Sequence, residues 1–203
     1  MPRVSTVDLS KLPEDVRNVV TRRGYSKVGE PTWEAVSAHC PHQTRQMMEL
    51  MNSFSRHGTM PKRYIEIAIV TVSRLNACRH CVGRHSVRLG ELGLAQSTAE
   101  RILEDDCPGL DETDCLVRDY AVAVSQNSAQ MRDSFVERLK LVFDEPQIVE
   151  LTWRISIAGA FNRFNNALQI DLDEGHLAVL LSQDGTAGNL PPSPGDDEEE
   201  VAI

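Results

Sequence analysis

The stretch from Pro61 to Gly93 constrains the fold of this chain more than any other. It holds two helix-length runs, residues 62–75 and 78–92, separated only by Asn76-Ala77. Two helices joined by so short a link run antiparallel and pack on each other. Pro61 suits the first turn of the first helix, and Gly93 is a natural stop for the second. Propensity alone leaves one alternative open. Ile65, Ile67, Ile69, Val70 and Val72 are β-branched and partly alternate, a pattern that a strand would also accept.

The polar residues of this hairpin form the pattern E-x11-C-x2-C-x3-H: Glu66, Cys78, Cys81 and His85. Glu66 interrupts an apolar run, where a carboxylate is costly unless it has a partner or a task. At about 1.5 Å per residue, Glu66 lies roughly 13 Å before the end of the first helix and His85 roughly 10 Å into the second. The hairpin therefore sets Glu66 opposite His85, then Cys81, then Cys78 at the mouth. Cys78 and Cys81 are spaced to close a disulfide within one helical turn, and His85 lies on the face of Cys81. Cys78, at the helix N-terminus, meets unsatisfied N–H groups and the positive dipole end, which favour its thiolate. His85 is placed to take a proton from Cys81 and pass it towards Glu66. Arg79, His80 and Arg84 add positive charge nearby, with Arg79 and Arg84 expected to be solvent-facing and His80 divided between the two roles. Three other readings compete. Cys78, Cys81 and His85 could bind zinc, with His42 or Cys40 as a fourth ligand. Glu66 could pair with Arg74 or Arg154 in a structural ion pair. The CxxC could be purely structural.

Elsewhere the signals are helical, and the expected class is all-α. A short helix is expected from Pro13 to Arg23. An amphipathic one over 43–56 carries Met47, Met48, Leu50, Met51 and Phe54 as a core stripe. Ser97-x-x-Glu100 reads as a capping box before Arg101-Ile102-Leu103, and Asp111 opens a longer helix. Further helices are expected at about 131–143, 146–168 and 175–182. The organisation reads as an N-terminal helical extension over 1–42, a CxxC-bearing core over 43–130, a second helical half over 131–183 and a disordered acidic tail over 184–203. That tail carries six acids and no Lys or Arg, leaving 24 acids against 21 bases in the rest, so most of the net charge of −9 belongs to it. A core so nearly neutral lacks the basic stripe of a nucleic-acid binder. With no membrane-length apolar run and no signal peptide, a reducing cytoplasmic location is expected, where a CxxC is more often catalytic than structural. Cys40, Cys107 and Cys115 show no pairing logic.

Shifting the chain by 84 positions sets Glu66 on Glu150, Cys78 on Asn162, Arg79 on Arg163, Cys81 on Asn165 and His85 on Gln169. The second half would then be a degenerate helical repeat, a hairpin of the same form without its redox groups.

Glu66, Cys78, Cys81 and His85, with His80 inside the CxxC, resemble the alkyl hydroperoxidase D-like branch of the carboxymuconolactone decarboxylase family. The match covers about residues 43–130, and Asn162-Arg163-Phe164-Asn165-Asn166 is similar to a later helix of such proteins. The resemblance implies an all-helical, multi-helical fold with the hairpin as active centre, assembled as a homo-oligomer (trimer or hexamer), and it favours helix over strand at 62–75. It implies a hydroperoxide substrate and no cofactor or metal. Cys81 would be the attacking thiolate, Cys78 the resolving thiol, Glu66 the base acting through His85 and a water, and His80 an assistant. The reductant would be a dithiol protein such as a peroxiredoxin, a lipoyl carrier or a thioredoxin-like carrier. The helix dipole favours Cys78 and the resemblance favours Cys81, so the choice between them is open at this level. Lactone-acid decarboxylation is the alternative activity within the resemblance, and a non-enzymatic redox or zinc-binding protein the alternative outside it.

Overall fold

A computed structural model of the chain describes residues 2–20 and 32–172, and these are helical with no strand. In chain order the helices are α1 (Glu14–Val20), α2 (Trp33–Ser37), α3 (Pro41–His57), α4 (Lys62–Leu75), α5 (Arg79–Glu91), α6 (Gln96–Glu100), α7 (Glu112–Asn127), α8 (Asp133–Lys140) and α9 (Glu145–Ala167). The acidic tail and the helix expected at 175–182 lie outside the described residues, as does the end of the helix expected to reach Arg23.

The strand alternative at 62–75 loses to burial. A β-branched residue costs a helix only a few tenths of a kcal/mol. Ile67, Val70 and Val72 are fully buried in α4, and each gains about 1.5–3 kcal/mol from leaving water. α4 can bury so many because it is the central helix, packed against α5, α7 and α9. Val117 and Ala121 of α7 and Leu151 and Ile155 of α9 complete this core. A second, smaller core joins the N-terminal segment to α3: Leu9, Leu12, Val16, Val20, Ala35 and Ala38 close around Met48. The boundary expected at residue 42 therefore falls inside α3, and the N-terminal extension is anchored to α3.

The turn between α4 and α5 is closed by backbone hydrogen bonds. Ala77 takes the left-handed conformation at φ 48°. Its N–H then reaches the Arg74 carbonyl at 3.1 Å, and the Cys78 N–H reaches Ser73 at 2.9 Å. This is the usual satisfaction of orphan carbonyls after a C-terminal residue, with alanine where glycine is the common choice. Gly93, at φ 83°, ends α5 in the same way, with Leu94 N–H on the Leu89 carbonyl at 3.1 Å.

Two expectations require correction. Ser97 does not cap a helix at 101: α6 starts at Gln96 after Ala95, and Ser97 lies inside it. Thr98 Oγ1 donates to the Pro108 carbonyl at 2.8 Å, and Cys107 Sγ donates to the Thr98 carbonyl at 3.5 Å. These ties bend Arg101–Leu103 into a turn. The 84-residue shift is also not a structural repeat. It would place the Asn76-Ala77 link on Ala160-Phe161, but α9 runs unbroken through both. Glu150 consequently has a different task from Glu66. Its Oε2 accepts from the Thr59 and Met60 N–H groups at 2.7 and 3.0 Å, and its Oε1 accepts from Arg154 at 3.1 Å. The carboxylate ties the α3–α4 link to α9. Glu150→Ala, which strands two N–H groups and a largely buried guanidinium, is expected to cost about 3 kcal/mol in urea denaturation; a loss below about 1 kcal/mol would contradict the tie.

Candidate active site

The α4–α5 hairpin places Glu66 against His85, with Glu66 Oε2 at 2.5 Å from His85 Nδ1. A carboxylate only accepts, so the Nδ1 proton belongs to His85 and Nε2 is left for the cavity. Arg88, one turn beyond His85, approaches the other carboxylate oxygen at 3.6 Å. Burial pushes the Glu66 carboxyl up, but the His85 charge and hydrogen bond, followed by those of Arg88, outweigh it and hold the group below its ordinary value. The ion-pair partners expected for Glu66 are engaged elsewhere: Arg74 donates to the Ala99 carbonyl at 3.0 Å, and Arg154 belongs to Glu150.

Cys78 is the N-cap of α5, fully buried, and its side chain caps nothing. Its Sγ lies 2.6 Å from Cys81 Sγ and donates to it. That donation, then burial, then the negative charge on Cys81, push the Cys78 thiol far up. The same hydrogen bond lowers Cys81 against its own burial, helped by the Asn165 and Asn162 amides and by the charge of Arg84. The preference between the two thiols therefore goes to Cys81. The dipole acts here as well, because Cys81 is the third residue of α5 and shares the field of its unpaired N–H groups.

α9 supplies the far wall. Asn165 Nδ2 donates to Cys81 Sγ at 3.3 Å, and Asn162 Nδ2 donates to Ser73 Oγ at 3.2 Å. At the end of α9, Gln169 turns left-handed at φ 53°, which brings Asp171 back over the start of α5. The Asp171 carbonyl meets His80 Nδ1 at 3.0 Å, and its carboxylate accepts from Arg79 at 3.1 Å. Arg79 thus has a partner where a solvated charge was expected. Cys81, His80, His85, Arg84 and Arg88 face a cavity of about 120 Å³, closed by Phe161, Asn162 and Asn165 of α9, Met48 and Met51 of α3, and Trp33 and Glu34 of α2. Trp33 and Phe161 meet edge to face at 4.8 Å. Among the described residues, no three His, Cys, Asp or Glu side chains converge as a metal-binding set.

All five residues singled out in the sequence, Glu66, Cys78, His80, Cys81 and His85, fall within this one neighbourhood. Arg88, Asn162, Asn165, Trp33 and Glu34 were missed as members of it. Arg88 had a local signal, three residues beyond His85 on one helix face. The two asparagines align with Cys78 and Cys81 at the 84-residue shift, and in the structure they are neighbours of the dithiol. Trp33 and Glu34 arrive from a distant segment that carries no motif.

Solved structures share this architecture. The chain is similar to the alkylhydroperoxidase AhpD core of an uncharacterized peroxidase-related protein from Ralstonia eutropha JMP134, with a TM-score of 0.74 and 19% identity over 86% of this chain and 94% of that one. An uncharacterized peroxidase-related protein from Silicibacter sp. TM1040 matches with a TM-score of 0.60 and 19% identity over 66% of this chain and 73% of that one. A cysteine-to-alanine variant of the debrominase Bmp8, in complex with 2,3,4-tribromopyrrole, matches with a TM-score of 0.70 and 17% identity over 89% of this chain and 96% of that one. No family model and no curated protein matches the sequence. At such identities the likeness establishes the fold: the chain has the all-helical, AhpD-like architecture that its hairpin motif resembles.

The lowered Glu66 carboxyl has a measurable consequence. A carboxylate with a depressed folded value contributes stability that is full above its unfolded value, near about pH 4.3, and lost as pH falls through the folded value. Glu66→Gln is expected to flatten the fall in urea-denaturation stability between about pH 5 and pH 3. An acid-side slope equal to that of the unsubstituted protein would contradict the assignment.

Proposed function

We propose that the chain is a thiol-dependent peroxidase that reduces hydroperoxides through a Cys78–Cys81 dithiol/disulfide cycle. One observation carries this reading: the Cys78 and Cys81 sulfurs are in direct contact, 2.6 Å apart, and Cys81 lines the cavity together with His85 and the Asn165 amide that donates to it. A nucleophile and its resolving thiol are thereby assembled before any substrate arrives. The proton lost by Cys81 passes to Nε2 of His85, which Glu66 orients through Nδ1. Cys81 attacks the terminal peroxide oxygen, forming the S–O bond as the O–O bond breaks. The alkoxide leaves with the proton from His85. Cys78 then attacks the sulfenic sulfur, releasing water and closing the disulfide. An external dithiol, carried by a peroxiredoxin, a lipoyl-bearing protein or a thioredoxin-like protein, restores both thiols by exchange. His80, buried and fixed by the Asp171 carbonyl, helps to position the wall next to Cys81. The cycle suits a reducing compartment, and we assign it to the cytoplasm; no described helix is long and apolar enough to cross a membrane.

A second reading is favoured by the aromatic pair Trp33–Phe161 in the cavity wall and by the likeness to a debrominase. The same dithiol could reduce a halogenated aromatic: Cys81 attacks the halogen, the ring carbon takes a proton, and Cys78 displaces halide to give the disulfide. Both readings are tested together, by following peroxide consumption and bromide release with dihydrolipoamide as reductant. Steady peroxide turnover that falls at least about 100-fold in both Cys78→Ser and Cys81→Ser is expected. Turnover retained in the double variant would overturn the dithiol cycle, and bromide release without peroxide turnover would establish the second reading.

We also propose that the chain self-associates. Val149 and Trp153, one turn apart on α9, are 56% and 57% exposed, and Leu141 just before α9 is 84% exposed. Large apolar side chains left so open fit a surface covered by a second copy. Light scattering is expected to show an oligomer that Trp153→Asp dissociates, whereas a monomeric unsubstituted protein would contradict self-association.

A further inference from the structure

Three asparagines at the end of α9 approach the dithiol turn, and one of them has a buried carbonyl without a donor among the described residues. Asn162 is satisfied at both ends: its Nδ2 donates to Ser73 Oγ, and its Oδ1 accepts from Asn76 Nδ2 at 3.0 Å. Asn166 Nδ2 donates to the Asn76 carbonyl at 2.7 Å. Asn165 is 2% exposed and gives its Nδ2 to Cys81 Sγ. Its Oδ1 is buried without a hydrogen-bond donor among the described residues. The orientation has a chemical cause. A thiolate can only accept, so the amide must turn its N–H towards sulfur, and the carbonyl is then left buried without a donor, in a residue that lines the cavity. A buried carbonyl without a donor is costly and rare, and it suits a site that receives its donor with the substrate.

We propose that Asn165 is a catalytic residue whose Oδ1 accepts the O–H of the attacked peroxide oxygen, so that the site is selective for hydroperoxides over peroxides substituted at both oxygens. This rests on the peroxidase reading above and adds a residue and a substrate requirement to it. As Cys81 attacks, the terminal oxygen moves from the leaving alkoxide to sulfur and keeps its hydrogen. That hydrogen begins in HO–OR and ends in S–O–H, and in both states it sits beside the Cys81 sulfur. One amide thus serves both partners: Nδ2 holds the thiolate, and Oδ1 holds the hydroxyl that is transferred to it. A peroxide carrying no O–H leaves the carbonyl unpaired in the transition state as in the ground state, and gains nothing from it.

The two ends of the amide can be separated by substitution. Asn165→Asp keeps an acceptor and loses the donor; Asn165→Leu loses both. For each protein, the single-turnover rates of Cys81 with tert-butyl hydroperoxide and with iodoacetamide are measured at a pH above its own thiolate titration, so that differences in thiolate population cancel in their ratio. The ratio is expected to fall at least about tenfold in Asn165→Leu. It is expected to stay within about threefold in Asn165→Asp, whose thiolate titrates at higher pH because a like charge now faces it. A ratio unchanged in Asn165→Leu, or one that falls as far in Asn165→Asp, would overturn the role of Oδ1. If Asn165→Leu does not fold, Asn165→Ala, which also loses both ends of the amide, is measured in its place with the same expected fall. An unsubstituted protein that reacts with iodoacetamide but not with the hydroperoxide would instead refute the peroxidase reading beneath it.

Discussion

The reversal at Asn76-Ala77 is the constraint on which the site depends. Closing it requires Ala77 to adopt a left-handed backbone, which alanine resists, and the compensation is the pair of hydrogen bonds back to Arg74 and Ser73. The bond to Ser73 is made by the N–H of Cys78, so the residue that ends the turn is also the first thiol of the dithiol. From there the register is set. Three residues into α5 stands Cys81, one turn later His85, and across the hairpin Glu66 meets His85 at 2.5 Å. A different link length would rotate α5 about its axis and separate these groups, whatever their identities.

Within this frame the two sulfurs differ because of what each touches. Both are buried, and burial alone would raise both thiols. Cys78 is left to donate, while Cys81 collects donors from Cys78, Asn165 and Asn162 and the charge of Arg84. The second half of the chain is therefore part of the chemistry. α9 provides the amides that favour one thiolate over the other, and Asp171, carried by the turn after α9, holds the first residues of α5 in place. Glu150 performs the mechanical part, tying the α3–α4 link to α9 and so fixing how α9 stands against the hairpin.

Much of this was legible in the residues alone. The hairpin, the helical class, the caps at Pro61, Gly93 and Asp111, and the order Glu66, His85, Cys81, Cys78 all follow from local periodicity and spacing, which act over one or two turns. What escaped depends on contacts across the chain. The choice between Cys78 and Cys81 needed the direction of one S–H and two amides from 80 or more residues away. The offset of 84 did carry a signal: it paired Cys81 with Asn165, and these two residues are in contact. In a single sequence, similarity of pattern and proximity in space look alike, so the same offset is compatible with a repeat. The Ser97 capping box failed for a related reason, since tertiary ties from Thr98 and Cys107 decide where that short helix stops. Trp33 and Glu34 carry no pattern, and only the packing of the N-terminal core on α3 brings them to the cavity.

The central claim is that Cys78 and Cys81 act as one redox unit. Its most direct measurement is peptide mapping by mass spectrometry of the reduced protein, trapped with an alkylating agent before and after one equivalent of hydroperoxide. A Cys78–Cys81 disulfide formed in proportion to the peroxide, with Cys40, Cys107 and Cys115 still alkylated, is the expected result. A protein in which Cys78 and Cys81 remain alkylated after peroxide, or in which either pairs with one of the other three cysteines, would contradict it.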